Sequence, residues 1–331
     1  MNCCWLLCFD LSCLVGGGNV RVLVTGGAGF IGSHVCDGFL ANHNQIHVID
    51  DLSRGRITRL PAGVQFHKES VLHASRLLDL VTEIKPDLIC HLAAHVDVRE
   101  SVADPRNDVE VNVVGTVNVL EAARAVGARV IFASTGGALY GEDAPIPSPE
   151  DTTCSPGSPY GVAKYCAEQY IGLYNRLFGT EHTILRFANV YGPRQGSTDE
   201  GGVVSIFCSN GTRGKSLTIY GDGKQTRDYV YVGDCVAALL AAADYGKAGI
   251  WNIGTGLEVN ILDLAALVNR LTGNHSESVF KAARTGELSR SALNSERAAR
   301  DLGWRPATSF ADGVQAVVRW FAAGVSDRGS L

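Results

Sequence analysis

Tyr160 and Lys164 stand one helical turn apart in Tyr160-Gly161-Val162-Ala163-Lys164, directly after Pro159. Proline suits the first position of a helix, so the spacing predicts a helix from Tyr160 to Phe178 with the phenol and the ammonium on one face. That pairing bears on acidity. A free tyrosine, with a pKa near 10, is only about 0.1% phenolate at pH 7, and lowering it by ~3 units takes ~4 kcal/mol of differential anion stabilisation. Lys164 and a positively charged cofactor ring would supply this together. Y-x-x-x-K alone is common on ordinary helices, so its weight depends on what accompanies it.

What accompanies it is Thr25-Gly26-Gly27-Ala28-Gly29-Phe30-Ile31-Gly32, which follows one predicted strand and opens a predicted helix. Gly26 permits a tight turn, Gly29 lets the backbone approach a pyrophosphate at the helix N-terminus, and Gly32 allows close helix packing. Asp50 ends the next predicted strand, about 20 residues on, where a carboxylate accepts from the adenosine ribose hydroxyls and repels a 2′-phosphate. The expectation is a dinucleotide site that takes NAD rather than NADP.

These groups need a scaffold to position them. From Val20 the runs VRVLVTG, QIHVIDD, VQFHKES, LICHLAA, RVIFAST and HTILRFANV alternate with helical stretches, one of them from Val109 to Val126. Apolar runs separated by crossover-length segments read as buried parallel strands, which predicts a doubly wound α/β Rossmann sheet. After Asn189 come the long loops YGPRQGSTDEGG and YGDGKQTRDY, then a strand at IWNIGTG and helices near Leu262–Leu271 and Phe310–Phe321. Loops of that length are usually functional. The division expected is an NAD-binding domain of residues 20–188, with 230–255 returning to it, and a smaller α/β C-terminal substrate lobe of residues 189–229 and 256–331.

With 331 residues the chain can bury a substantial core, and a formal net charge of −5 provides no basic surface for nucleic acid or an anionic membrane. A small-molecule substrate is expected. The ten cysteines include no C-x-x-C pair, which points to reduced thiols in the cytoplasm. Four of them, Cys3, Cys4, Cys8 and Cys13, crowd residues 1–19. This stretch lacks the basic start and cleavage site of a signal peptide, the uninterrupted length of a membrane span and the paired knuckles of a zinc site. It is read as a disordered extension, with translation starting at Val20. His91 and His95 follow a predicted strand with no convergent carboxylate apparent, and are read as packing or loop residues; no metal is expected.

Longer runs are more specific: HLAAHVDVRESVADP at 91–105, NVVGTVNVLEAA from Asn112, FASTGGALYG from Phe132, LRFANVYGPRQ from Leu185 and GDGKQTRDYVYV from Gly221. With them the chain, from Val20 to about Phe321, resembles the extended short-chain dehydrogenase/reductases and, within these, the UDP-glucose (UDP-galactose) 4-epimerases. The resemblance implies Tyr160 as catalytic base, Thr135 as hydrogen-bond partner of the reacting hydroxyl, and Lys164 on the nicotinamide ribose. It implies a tightly held NAD against Gly26, Gly29, Phe30, Ile31, Gly32, Asp50, Ser70, Ala93, Ala94 and Asn112. For the UDP-sugar it implies Asn189, Val203, Val204 and Ser291, with Thr218 and Tyr220 at uracil, Arg227 and Arg284 on the diphosphate, and Glu287 near the UDP ribose. It also implies a homodimer built on the helices that begin at Val109 and Tyr160.

Three positions depart from the best-known pattern. Val96 replaces a lysine, Ser70 replaces an aspartate near adenine, and Ser291 replaces a bulky tyrosine, which leaves room for an N-acetyl group. A 4,6-dehydratase or decarboxylase on this scaffold usually carries an acid just after the catalytic threonine; here Gly136, Gly137 and Ala138 follow Thr135. A 4-ketoreductase with exchangeable cofactor is the next alternative. A catalytically silent NAD-sensing module is a further one, and it would have no need to keep Thr135, Tyr160 and Lys164.

Overall fold

The computed structural model describes residues 20–197, 202–283 and 288–324. The first half winds through β1 (Arg21–Thr25), α1 (Phe30–Leu40), β2 (Gln45–Asp50), β3 (Gln65–Lys68), α2 (Ala74–Ile84), β4 (Leu88–His91), α3 (Val98–Ala103), α4 (Pro105–Val109), α5 (Gly115–Val126) and β5 (Arg129–Thr135). It continues through α6 (Pro159–Phe178) and β6 (Thr183–Phe187). The remainder comprises β7 (Asn189–Tyr191), α7 (Val203–Gly211), β8 (Thr218–Tyr220), β9 (Thr226–Arg227), β10 (Tyr229–Tyr231), α8 (Val232–Tyr245), β11 (Gly249–Ile253), β12 (Val259–Asn260), α9 (Ile261–Thr272), β13 (Val279–Lys281), α10 (Glu296–Asp301) and α11 (Phe310–Ala322).

Seven parallel strands form one sheet in the order β11-β6-β5-β4-β1-β2-β3. The chain builds outward from β1 to β3, then returns to β4 and builds the other way. The reversal between β1 and β4 opens a crevice beyond their carboxyl ends, where doubly wound sheets hold ligands. Side chains alternate across the sheet: Val22 and Val24 join the core under α1 and α8, whereas Leu23 joins that under α2, α5 and α6.

Three sequence expectations change. β3 is the sheet edge, with Gln65 and Lys68 exposed, because it has a strand on one side only. HTILRFANV is not one strand: at Ala188 the chain leaves β6, and Asn189 starts β7, which pairs with β10 outside the large sheet. The expected helix from Val109 begins earlier, at Pro105, and contains a π-turn at Glu110–Val114 between α4 and α5. Around Tyr191 a second core gathers α7, α9 and α11. The pairs β7/β10, β8/β13 and β9/β12 lie beside it. Among the described residues no helix is long and apolar enough to cross a membrane.

Candidate active site

The glycine turn joins β1 to α1. Gly26 has φ +70°, and a Cβ there would stand 2.7 Å from the backbone nitrogen of Ala93; a Cβ at Gly32 would stand 2.2 Å from the Gly26 carbonyl oxygen. Only glycine fits either place. Gly29 is the N-cap of α1 and makes no side-chain cap. The amides of the first turn, including those of Phe30 and Ile31, have no partner within the helix and suit an anion.

Asp50, at the end of β2, accepts from the Ala28 amide at 3.0 Å and the Leu52 amide at 2.8 Å. Burial raises its pKa against those bonds. A carboxylate offers about four acceptor sites, so it can brace the glycine turn and still accept from a ribose. The cradle therefore fits NAD: a tight amide turn for a diphosphate, and beside it a carboxylate hostile to a further phosphate. Ser70 lies half-buried after β3, its hydroxyl accepting from the Leu72 amide at 3.3 Å. Ala93 and Ala94 follow β4, and the Ala93 amide donates to Thr25 Oγ1 at 3.3 Å. Asn112 is buried, and its side chain is committed to the chain itself: it accepts from the His95 amide at 3.0 Å and donates to the His95 carbonyl at 2.9 Å and to Asp108 at 3.1 Å. It thereby holds the loop that follows β4.

Thr135 ends β5, and Tyr160 opens α6 behind the Ser158 cap, whose hydroxyl accepts from the Gly161 amide at 3.2 Å. The Thr135 hydroxyl lies close enough to the Tyr160 phenol to favour its ionised form. Burial pushes the Tyr160 phenol above its ordinary value and the charge of Asp108 adds to this, while the Thr135 hydroxyl pulls the other way. Lys164, one turn along α6, is engaged with the sheet. Its ammonium donates to the Ala133 carbonyl at 2.8 Å and sits 4.4 Å from the Phe132 ring centroid. Burial pulls Lys164 down to about 8, against the carboxylates of Glu168 and Asp108.

The substrate-lobe candidates fall on several elements. Asn189 is exposed at the start of β7, its Oδ1 3.3 Å from where a Cβ on Gly137 would lie. Val203 and Val204 open α7, but the Val204 side chain is buried in the second core, so its backbone is what it can offer a ligand. Thr218 and Tyr220 flank buried Ile219 on β8 and share the other face. Arg227 is half-buried on β9 and donates to the Thr226 carbonyl at 2.7 Å. Ser291 is buried, and its carbonyl accepts from the Asp228 amide at 2.8 Å. Arg284 and Glu287 lie outside the described residues.

The sequence reading missed three supports. Glu168, one turn beyond Lys164, is buried; it pairs with Arg186 at 2.6 Å and accepts from Ser134 at 2.6 Å, locking α6 to β5 and β6. The four-residue spacing from Lys164 was the available signal. Buried Asp228 accepts from the Thr255, Gly256 and Leu293 amides at 2.9–3.2 Å, fixing the strand that carries Arg227. The expectation that His95 has no carboxylate partner is corrected: its Nδ1 lies 3.0 Å from Asp108 and its Nε2 2.7 Å from Glu100. Three short elements, α3, α4 and the β4–α3 loop, bring those residues together, and no periodicity announces such a meeting. His91 is packed as expected, between the hydroxyls of Thr25 at 2.7 Å and Thr116 at 3.0 Å.

Comparison with known proteins places this geometry. Residues 22–254 match the model of the NAD dependent epimerase/dehydratase family. The chain is 41% identical over 309 residues to the UDP-glucose 4-epimerase of Mycolicibacterium smegmatis, covering 91% of this chain and 98% of that one. The crystal structure of UDP-glucose 4-epimerase with UDP-glucose from Thermotoga maritima superposes with a TM-score of 0.91 at 40% identity, covering 93% of this chain and all of that one. The Thermus thermophilus UDP-glucose 4-epimerase complex with NAD superposes with a TM-score of 0.87 at 38% identity, covering 91% and 99%.

Proposed function

The chain belongs to the NAD dependent epimerase/dehydratase family, and from that membership we propose that it is an isomerase, a UDP-glucose 4-epimerase that interconverts UDP-galactose and UDP-glucose through a transient 4-keto sugar. The observation that carries this reading is the meeting of Thr135, Tyr160 and Lys164 on the same carboxyl edge of the sheet as the glycine turn. Relatives and structural neighbours named for that reaction support it.

The cofactor would lie with its diphosphate on the first turn of α1 and its adenosine ribose at Asp50. Bound NAD supplies the acceptor that takes the C4 hydride and returns it, so none is consumed. Tyr160 removes the proton from the 4-hydroxyl, and Thr135 orients that hydroxyl and shares the hydrogen bond. Lys164 places positive charge beneath the site and holds the nicotinamide ribose. Arg227 and Arg284 grip the diphosphate with Asn189 and the backbone at Val203 and Val204, a task suited to guanidinium forks. Thr218 and Tyr220 hold uracil, and Glu287 the UDP ribose. Held by this handle, the 4-keto sugar would be free to turn and present its other face. Tyr160 then gives the proton back. The division of labour follows the chain: NAD on residues 20–188 with 230–255, the sugar nucleotide on 189–229 and 256–331.

A dehydratase or decarboxylase reading gains nothing from the site, since Gly136, Gly137 and Ala138 after Thr135 provide no acid. Ser291 in place of a bulky residue extends the substrate range to UDP-N-acetylhexosamines. The cysteines among the described residues are free thiols, in keeping with a place in the reducing cytoplasm. Exposed Val102, Val109, Val162 and Leu177 on α3, α4 and α6 form the face on which two copies pair as a homodimer.

The deciding experiment uses UDP-galactose deuterated at C4. UDP-glucose that keeps its deuterium agrees with hydride removal and return in one site; exchange of the label with solvent hydrogen would overturn the mechanism.

A further inference from the structure

Among the described residues Asp108 is the one carboxylate that bears on both Tyr160 and Lys164, and it is itself completely buried. Its Oδ1 accepts from Asn112 and meets His95, while its Oδ2 is buried with no hydrogen-bond partner among the described residues. An anion so placed opposes formation of a phenolate at Tyr160, the event on which base catalysis depends. The fold must offset it.

His95 does so by geometry. Its Nδ1 stands 3.0 Å from Asp108 Oδ1 and its Nε2 2.7 Å from Glu100 Oε2. An ionised carboxylate only accepts hydrogen bonds, and a neutral imidazole can donate from one nitrogen only, so contacts to two ionised carboxylates require the imidazolium. The ring is 8% exposed, and its backbone is clasped on both sides by Asn112 at the π-turn. Burial pulls the His95 pKa down, but the hydrogen bonds to Asp108 and Glu100 and the charges of both leave it raised overall. The charged groups around this pair are Lys164 and Glu168 on α6, Glu100 on α3 with Asp97 before it, and Arg54, which pairs with Glu100 from the loop after β2. Buried His91, at the end of β4, is held down to about 3 by burial and by Lys164, and stays neutral.

We propose that His95 is a positioning residue for the reaction: its imidazolium, clamped between Glu100 and Asp108, neutralises the buried carboxylate of α4, the helix packed against α6, and so keeps the Tyr160 phenolate accessible. The inference rests on the assignment of Tyr160 as the base, and not on which sugar nucleotide is turned over. The sign follows directly. Loss of the imidazolium charge, by substitution or by raising the pH past its own titration, leaves Asp108 uncompensated and moves the Tyr160 ionisation to higher pH. Loss of Asp108 moves it to lower pH.

The test is a spectrophotometric phenolate titration of the NAD-loaded protein, taken as the difference between each form and its Tyr160→Phe counterpart. His95→Gln is expected to raise the Tyr160 midpoint by about one unit, which lowers the phenolate fraction by about tenfold at a pH well below the midpoint. Asp108→Asn is expected to lower the midpoint, and His95→Gln with Asp108→Asn to bring it back near that of the unaltered protein. A midpoint unmoved by His95→Gln, or a double variant that restores nothing, would overturn the proposal and leave His95 a purely structural residue. With UDP-galactose as substrate, the acid limb of kcat moves in step. A phenolate midpoint that shifts as expected in a protein that leaves UDP-galactose unconverted supports His95 and instead refutes the substrate assignment.

Discussion

The ammonium of Lys164 donates to the carbonyl oxygen of Ala133 at 2.8 Å, two residues before Thr135 on the same strand. That bond crosses from α6 to β5 and sets the register in which Tyr160 meets Thr135. One turn further along α6, Glu168 repeats the attachment through Ser134 and Arg186. Helix α6 is thus tied to the sheet twice, and the base proposed at Tyr160 is positioned by buried structure.

Removal of the phenolic oxygen with the ring retained separates chemistry from folding. Tyr160→Phe is expected to lower kcat by about 10³-fold, and Thr135→Val by about 10²-fold, within the range for positioned acid–base groups. Bound NAD, measured after release by denaturation, should stay near its normal level in both. A Tyr160→Phe protein with near-normal kcat would remove this residue from the base role.

The cofactor cradle has its own signature. A Cβ at residue 32 would collide with the Gly26 carbonyl, and backbone cannot yield as a flexible side chain does. Gly32→Ala should therefore purify with little NAD and lose activity even in added NAD. Full retention of cofactor would mean that the diphosphate lies elsewhere.

The strand-turn-helix at residues 21–40, the acid at Asp50 and the Tyr160 helix were legible because each depends on local chemistry: turn glycines, a strand end, a proline start and a four-residue spacing. The break at Ala188 was not, since it depends on hydrogen bonds to Ile253 and Asp228, both far along the chain. For the same reason the sequence concealed His95, whose partners Glu100 and Asp108 converge only after the chain has turned through two short helices and a π-turn. Buried polar partners carry no hydrophobic period, so pattern reading passes over them.

Pocket size is tested at Ser291. The unaltered protein is expected to convert UDP-GalNAc as well as UDP-galactose. Ser291→Tyr should keep the latter activity and lose the former by at least about tenfold, the scale on which a steric mismatch in a pocket discriminates. Loss of both would point to misfolding around this buried position, and no UDP-GalNAc turnover by the unaltered protein would reject the wider range.

Leu177 is 64% exposed at the end of α6. A charge placed there costs little in a monomer and much within an apolar contact between copies. Leu177→Glu is expected to sediment as a monomer where the unaltered protein sediments as a dimer; a dimer that survives the change, or an unaltered protein already monomeric, contradicts the proposed face.

The most direct measurement of the whole account is conversion of UDP-galactose by purified protein with no NAD added, followed by separation of the sugar nucleotides. Formation of UDP-glucose is predicted, with the NAD that purifies with the chain sufficient for turnover. No UDP-glucose, even after NAD is supplied, would contradict the epimerase assignment.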